Sequence, residues 1–134
     1  MKRATLGLVI VGVLMAAMPV MEHHSFAAEY DSKQPVNLKG AVTKVEWMNP
    51  HVYFYIDVKD EQTGKVTNWA FEMGAPAVIQ RNGWTRNSMK IGDLVIVEGS
   101  RAKSGAPHGN ARSVTMASTG KKLGAGSSEG QPEQ

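Results

Sequence analysis

Four histidines and no cysteine set the chemistry that this chain of 134 residues can offer. His23 and His24 stand side by side near the amino end, His51 follows a proline, and His108 lies in the stretch "KSGAPHGN". Imidazoles with carboxylates suit Cu(II), Zn or Ni, and a donor set without thiolate disfavours structural zinc. His51, His108, His23 and His24 are therefore candidate ligands for a divalent metal, Cu(II) foremost, with Glu72 alongside. Without cysteine there is no disulfide framework and no thiol catalysis, so the fold must rest on its apolar core. A second set, Tyr53, Tyr55, Asn68 and Glu72, falls on the polar positions of two alternating segments. It offers a mixed aromatic and polar platform for an unknown small ligand or a periplasmic protein.

Catalytic patterns are missing. No serine stands in a G-x-S-x-G elbow, and "GAVTKV" and "GNARSV" lack the glycine spacing of a phosphate-cradling loop. The adjacent carboxylates Asp60 and Glu61 fall in a polar turn, where a solvated loop is the simpler explanation. The expectation is a binding protein and not an enzyme.

The elements that must position these residues begin after a leader. Met1-Lys2-Arg3 precedes an uncharged run from Leu6 to Met18, the form of a signal peptide and too short for a spanning helix. Residues 1–22 are expected to be removed, with the cut placed anywhere from 17 to 27. Cleavage after Ala27 would discard both His23 and His24; cleavage after Ala17 would keep them. The formal charge of +3, or +2 without Lys2, Arg3 and Glu22, is too mild to suggest nucleic acid. No second apolar run could anchor the exported chain in a membrane, so a periplasmic location is expected.

Residues 23–35 read as an N-terminal arm, 36–117 as one domain, and 118–134 as a Gly/Ser-rich flexible tail. In "VNLKGAVTKVEW" (36–47) the apolar positions switch parity between Val42 and Val45, as at a β-bulge. "HVYFYIDV" (51–58) alternates, with Val52, Phe54 and Ile56 on one face and His51, Tyr53 and Tyr55 on the other. "VTNWAFEM" (66–73) turns Trp69 and Phe71 inward, Asn68 and Glu72 outward. Pro76 opens a short helix over 75–82, "LVIVEGSRA" (94–102) reads as a buried strand, and "ARSVTM" (111–116) as the last. Five strands with one short helix between the third and fourth make an all-β, OB-like barrel. Trp47, Trp69 and Phe71 are the expected core aromatics, with Trp84 just past the helix.

An OB barrel binds on the face of its second and third strands, rimmed by the loops joining strands 1–2 and 4–5. Those loops carry His51 and His108. Keeping both apolar sets inward requires opposed residues of the hairpin to sum to an odd number, near 123, which sets His51 opposite Glu72, Tyr53 opposite Ala70 and Tyr55 opposite Asn68.

The segments "HHSFAAEYD", "GAVTKVEWMNPHV", "TNWAFEMG", "RNGWTR" and "GDLVIVEGSRAKSG" together resemble a family of small exported bacterial proteins of unknown function. The resemblance spans about residues 23–125. It implies a signal peptide followed by one OB-like domain, and it implies no activity.

Overall fold

A computed structural model describes residues 26–129 of the chain. The leader, His23 and His24 lie outside the described residues. A four-residue helical turn, α1 (Phe26–Glu29), leads directly into a long strand, β1 (Tyr30–Glu46). Then follow β2 (Tyr53–Lys59), β3 (Val66–Glu72), the short helix α2 (Pro76–Gln80), β4 (Leu94–Ala102), β5 (His108–Met116) and β6 (Lys122–Gly124). The strands run in the order β3-β2-β1-β4-β5-β6, and a parallel pairing of β3 with β5 brings the two ends of the five long strands together. All-β architecture with a helix between β3 and β4 is therefore present. The sheet curls into a partly closed barrel and carries a sixth strand at its edge.

Alternation explains the core. Val52, Phe54 and Ile56 from β2 and its approach, Trp69 and Phe71 from β3, and Val95 and Val97 from β4 are all buried on the inner side. Phe71 stacks between Phe54 and Trp69 at centroid distances of 5.5 and 5.9 Å. Ile79 of α2 and Trp84 close one side of this cluster, while Trp47 is half-buried against it. The bulge expected after Val42 is a register shift between Val42 and Lys44 in the β1–β2 pairing.

Three boundaries differ from the expectation, each for a physical reason. The arm is part of β1: Tyr30 pairs with Ala102 and Asp31 with Arg101, and a second irregularity follows before Pro35. "YDSKQP" shows no alternation because this piece is held by the burial of Tyr30 and not by an apolar stripe. The strand β5 begins at His108 and not at 111, because Gly109 pairs with Phe71 across the barrel closure. A Cβ at Gly109 would meet the Phe71 ring at 2.8 Å, so close approach of the chains dictates a residue type that reads as loop. The expected flexible tail packs on the barrel through Glu129. Lys122–Gly124 pair with β5, Ala125 is fully buried, and Gly126 takes φ +67° with Ile79 and Gly74 close by. Its small residues serve close packing, which composition alone cannot separate from disorder. No helix among the described residues is long and apolar enough to cross a membrane.

Candidate functional site

The β2–β3 hairpin sets the geometry of the site. Its loop is closed by the Asp60 N–H donating to the Lys65 carbonyl (2.8 Å), and the Asp60 carboxylate accepts from the Gln62 and Thr63 N–H groups. That turn puts Tyr53 opposite Glu72, Tyr55 opposite Ala70 and Asp57 opposite Asn68. The expected register is thus off by two residues. Parity is preserved, so the inner and outer faces are as expected, but the pairs along the face are not. Periodicity fixes only which side a residue faces; the turn fixes which neighbour it meets.

Glu72 is the centre of the outer face, although it is itself only 6% exposed. One carboxylate oxygen, Oε1, lies 2.5 Å from His51 Nδ1, in the turn just ahead of β2. The other, Oε2, accepts from the Tyr30 hydroxyl at 2.5 Å and from the Tyr53 hydroxyl at 3.2 Å. Tyr30 also meets His108 Nε2 at 2.8 Å, and His108 Nε2 lies 3.6 Å from Glu29 Oε1. Six side chains from α1, β1, the β1–β2 turn, β2, β3 and β5 therefore form one connected polar cluster.

Proton placement follows from this geometry. Burial, then the hydrogen bond to Glu72 and the Glu72 charge, push the Tyr30 phenol far above its ordinary range. Burial and the charge of Glu72 push Tyr53 up in the same way. Both remain phenols at neutral pH and both donate to Glu72. Tyr30 has a single proton, committed to Glu72, so its oxygen accepts from His108, which requires the Nε2–H tautomer of that imidazole. Among the described residues, no lysine or arginine pairs with Glu72 or Glu29; the basic side chains beside them are His51 and His108. The rim is open, with the side chains of His51 and His108 37% and 30% exposed.

Of the residues expected from sequence, His51, Tyr53, Glu72 and His108 are brought together. Tyr55 and Asn68 are not. The Tyr55 ring lies 5.4 Å from Lys44 Nζ, and the Asn68 amide donates to Asp57 Oδ1 (2.9 Å) and Thr43 Oγ1 (3.1 Å). Both belong to a separate polar patch further along the hairpin. Glu29 and Tyr30 were not expected at all. They arrive because the start of β1 runs beside β4, where the Lys103 N–H donates to the Glu29 carbonyl at 2.9 Å. The only signal for them was the concentration of ionisable and aromatic residues in "HHSFAAEYD".

The family model of unknown function designated DUF6152 matches residues 10–112, most of the chain. The chain belongs to that family. Every member of the six-residue cluster falls within the part that matches the DUF6152 model. No curated protein matches this DUF6152 chain. Among solved structures, the crystal structure of the mitochondrial single-stranded DNA binding protein Rim1 from S. cerevisiae is similar, with a TM-score of 0.50 and 12% identity. The match covers 63% of this chain and 93% of that one. At such identity the likeness carries the OB fold alone.

Proposed function

We propose that the protein is an exported, non-enzymatic binding module of the periplasm whose small ligand seats at the Glu72 end of the β2–β3 face. The observation that carries this reading is the convergence of Tyr30, His51 and Tyr53 on one nearly buried carboxylate, with His108 and Glu29 on the same rim. Stability does not ask for such a cluster, since well-packed apolar groups in place of a buried polar network are often as stable or more so. The half-exposed imidazoles give a ligand a way in from solvent. Two carboxylates without a lysine or arginine partner among the described residues favour a ligand that is cationic or rich in hydrogen-bond donors.

The non-enzymatic part rests on the sequence patterns: no serine stands in a G-x-S-x-G elbow, no glycine spacing fits a phosphate-cradling loop, and the chain has no cysteine. Export rests on the Leu6–Met18 leader pattern. The similar yeast protein is a single-stranded DNA binding protein, but binding of that kind uses a positively charged groove with aromatic rings free to stack on bases. Here Tyr30 and Tyr53 are tied to Glu72, and Glu29, Glu72 and Asp57 would repel phosphates. A small polar ligand fits this face better than nucleic acid.

The test is intrinsic fluorescence of the chain against low-molecular-mass fractions of a periplasmic extract, comparing wild type with Glu72→Gln and with the more exposed His51→Ala. At least one fraction should change wild-type emission, and the response should be lost or weakened in both variants. No response to any fraction, or a response unchanged by both substitutions, contradicts the proposal.

A further inference from the structure

The same cluster has the donor chemistry of a metal site. His108, Glu29 and Glu72 each offer one ligand atom, and these three atoms all lie within 4.8 Å of one another. They come from β5, α1 and β3, far apart in the chain, so the grouping is a product of the fold and not of local sequence. Resting on the binding-module reading above, we infer that the ligand of this site is a divalent transition-metal ion held by His108 Nε2 and by carboxylate oxygens of Glu29 and Glu72. His51, bonded to the other Glu72 oxygen, orients that carboxylate as a positioning residue.

Charge and geometry both support this assignment. Nitrogen and carboxylate ligands hold such ions at about 2.0–2.2 Å, which sets tetrahedral ligand atoms about 3.4 Å apart. His108 Nε2 and Glu29 Oε1 already stand 3.6 Å apart, and the Glu72 ligand oxygen lies within 4.8 Å of the ligand atoms of both residues. Imidazole and carboxylate donors without thiolate suit Cu(II), Ni(II) and Zn(II), with Cu(II) held most tightly. A metal-ligating histidine usually donates its other ring N–H to a second partner, and a ligating carboxylate is itself hydrogen-bonded. Glu72 meets that condition through Tyr53 and His51.

Occupation changes the proton arrangement in a defined way. Without an ion, His108 carries its proton on Nε2 and donates a hydrogen bond from it to the Tyr30 oxygen. Coordination through Nε2 moves the proton to Nδ1 and breaks the bond between His108 and Tyr30. Tyr30 keeps its proton, and its oxygen is left facing the ion beside Glu72. The metal thus replaces one hydrogen bond of the network and neutralises two carboxylates.

The full chain, stripped with chelator, is titrated calorimetrically with Cu(II) and separately with Zn(II), in a His23→Ala/His24→Ala background that removes the arm's own imidazoles. The expected result is one site per chain, with affinity weakened at least 10-fold by His108→Ala and by Glu29→Gln. His51→Ala should weaken it less, and should do so without changing the stoichiometry. Glu29 is half-exposed, so its variant keeps the test valid even if changes at Glu72 unfold the protein. Absence of binding, or equal affinity in the His108→Ala and Glu29→Gln variants, overturns the metal assignment. A fluorescence response of the stripped protein to a metal-free extract fraction would at the same time leave the binding-module reading standing, so the two can fail separately.

Discussion

Replacing Tyr30 by Phe removes one oxygen and leaves the ring, which makes it a clean probe of the Glu72 cluster. The ring is 2% exposed and lies 5.6 Å from the Phe26 ring and 5.4 Å from the His108 ring. Phenylalanine preserves those contacts, so the apolar contribution is nearly unchanged. What disappears is the donor to Glu72 Oε2 at 2.5 Å and the acceptor for His108 at 2.8 Å. A hydrogen bond to a charged group contributes about 1.5–3 kcal/mol. The loss of the acceptor for His108 is partly made good by water, because that ring is partly exposed. A net loss of about 2 kcal/mol follows, which corresponds to a fall in Tm of roughly 8–16 °C for a domain of this size. The assay is urea and thermal unfolding of chelator-treated protein, with Tyr55→Phe as the control on the same face. Tyr55 stands apart from the Glu72 cluster, so its variant should stay within about 0.5 kcal/mol of wild type. A Tyr30→Phe variant as stable as Tyr55→Phe would show that the arm does not close the cluster, and would remove Glu29 and Tyr30 from the site.

The remaining predictions concern the core, the barrel closure, pH and nucleic acid. Trp69→Ala deletes a ring stacked on Phe71 and should destabilise by about 3–5 kcal/mol; a variant melting within a few degrees of wild type contradicts the core assignment. Gly109→Ala puts a methyl 2.8 Å from the Phe71 ring and 3.0 Å from the Ser100 carbonyl. It should cost about 1–3 kcal/mol by overpacking, measured by urea unfolding, and a neutral result would mean that β3 and β5 are not in contact there. Tyr30 and Tyr53 are held protonated in the folded chain, so above pH 10 the unfolded chain releases protons that the folded chain keeps. Stability should accordingly fall as pH rises from 10 to 11, by at most about 1.4 kcal/mol per pH unit for Tyr30; equal stability at pH 9 and pH 11 refutes that arrangement. Fluorescence anisotropy of labelled oligo(dT) at physiological salt should show no binding, and micromolar binding would favour nucleic acid over a small ligand.

Much of the fold was legible because period-two alternation survives in β2 and β3 and because β4 opens on a continuous apolar run. Val52, Phe54, Ile56, Trp69 and Phe71 could be turned inward from pattern alone, and the parity switch after Val42 marked the bulge. The elements that escaped are those whose residues answer to close approach or to polar contacts. Gly109 and Gly126 are small because neighbouring chains leave no room for a side chain, and in a sequence they look like loop and tail. The start of β1 is fixed by Tyr30 reaching Glu72, a contact 42 residues distant that leaves no local periodicity. The site was half legible for the same reason. His51, Tyr53, Glu72 and His108 follow from the outer face and the rim loops of an OB barrel. Glu29 and Tyr30 depend on the path of the arm, and the separation of Tyr55 and Asn68 from Glu72 depends on a register set by the Asp60 turn.

The central claim is that a ligand binds where Glu29, Tyr30, His51, Tyr53, Glu72 and His108 meet. Backbone amide NMR of the labelled chain, recorded with and without the active low-molecular-mass periplasmic fraction, tests it most directly. Shift changes should concentrate at residues 29–31, 51–53, 70–73 and 108–110. Changes centred on Lys44, Tyr55 and Asn68, or none at all, would contradict it.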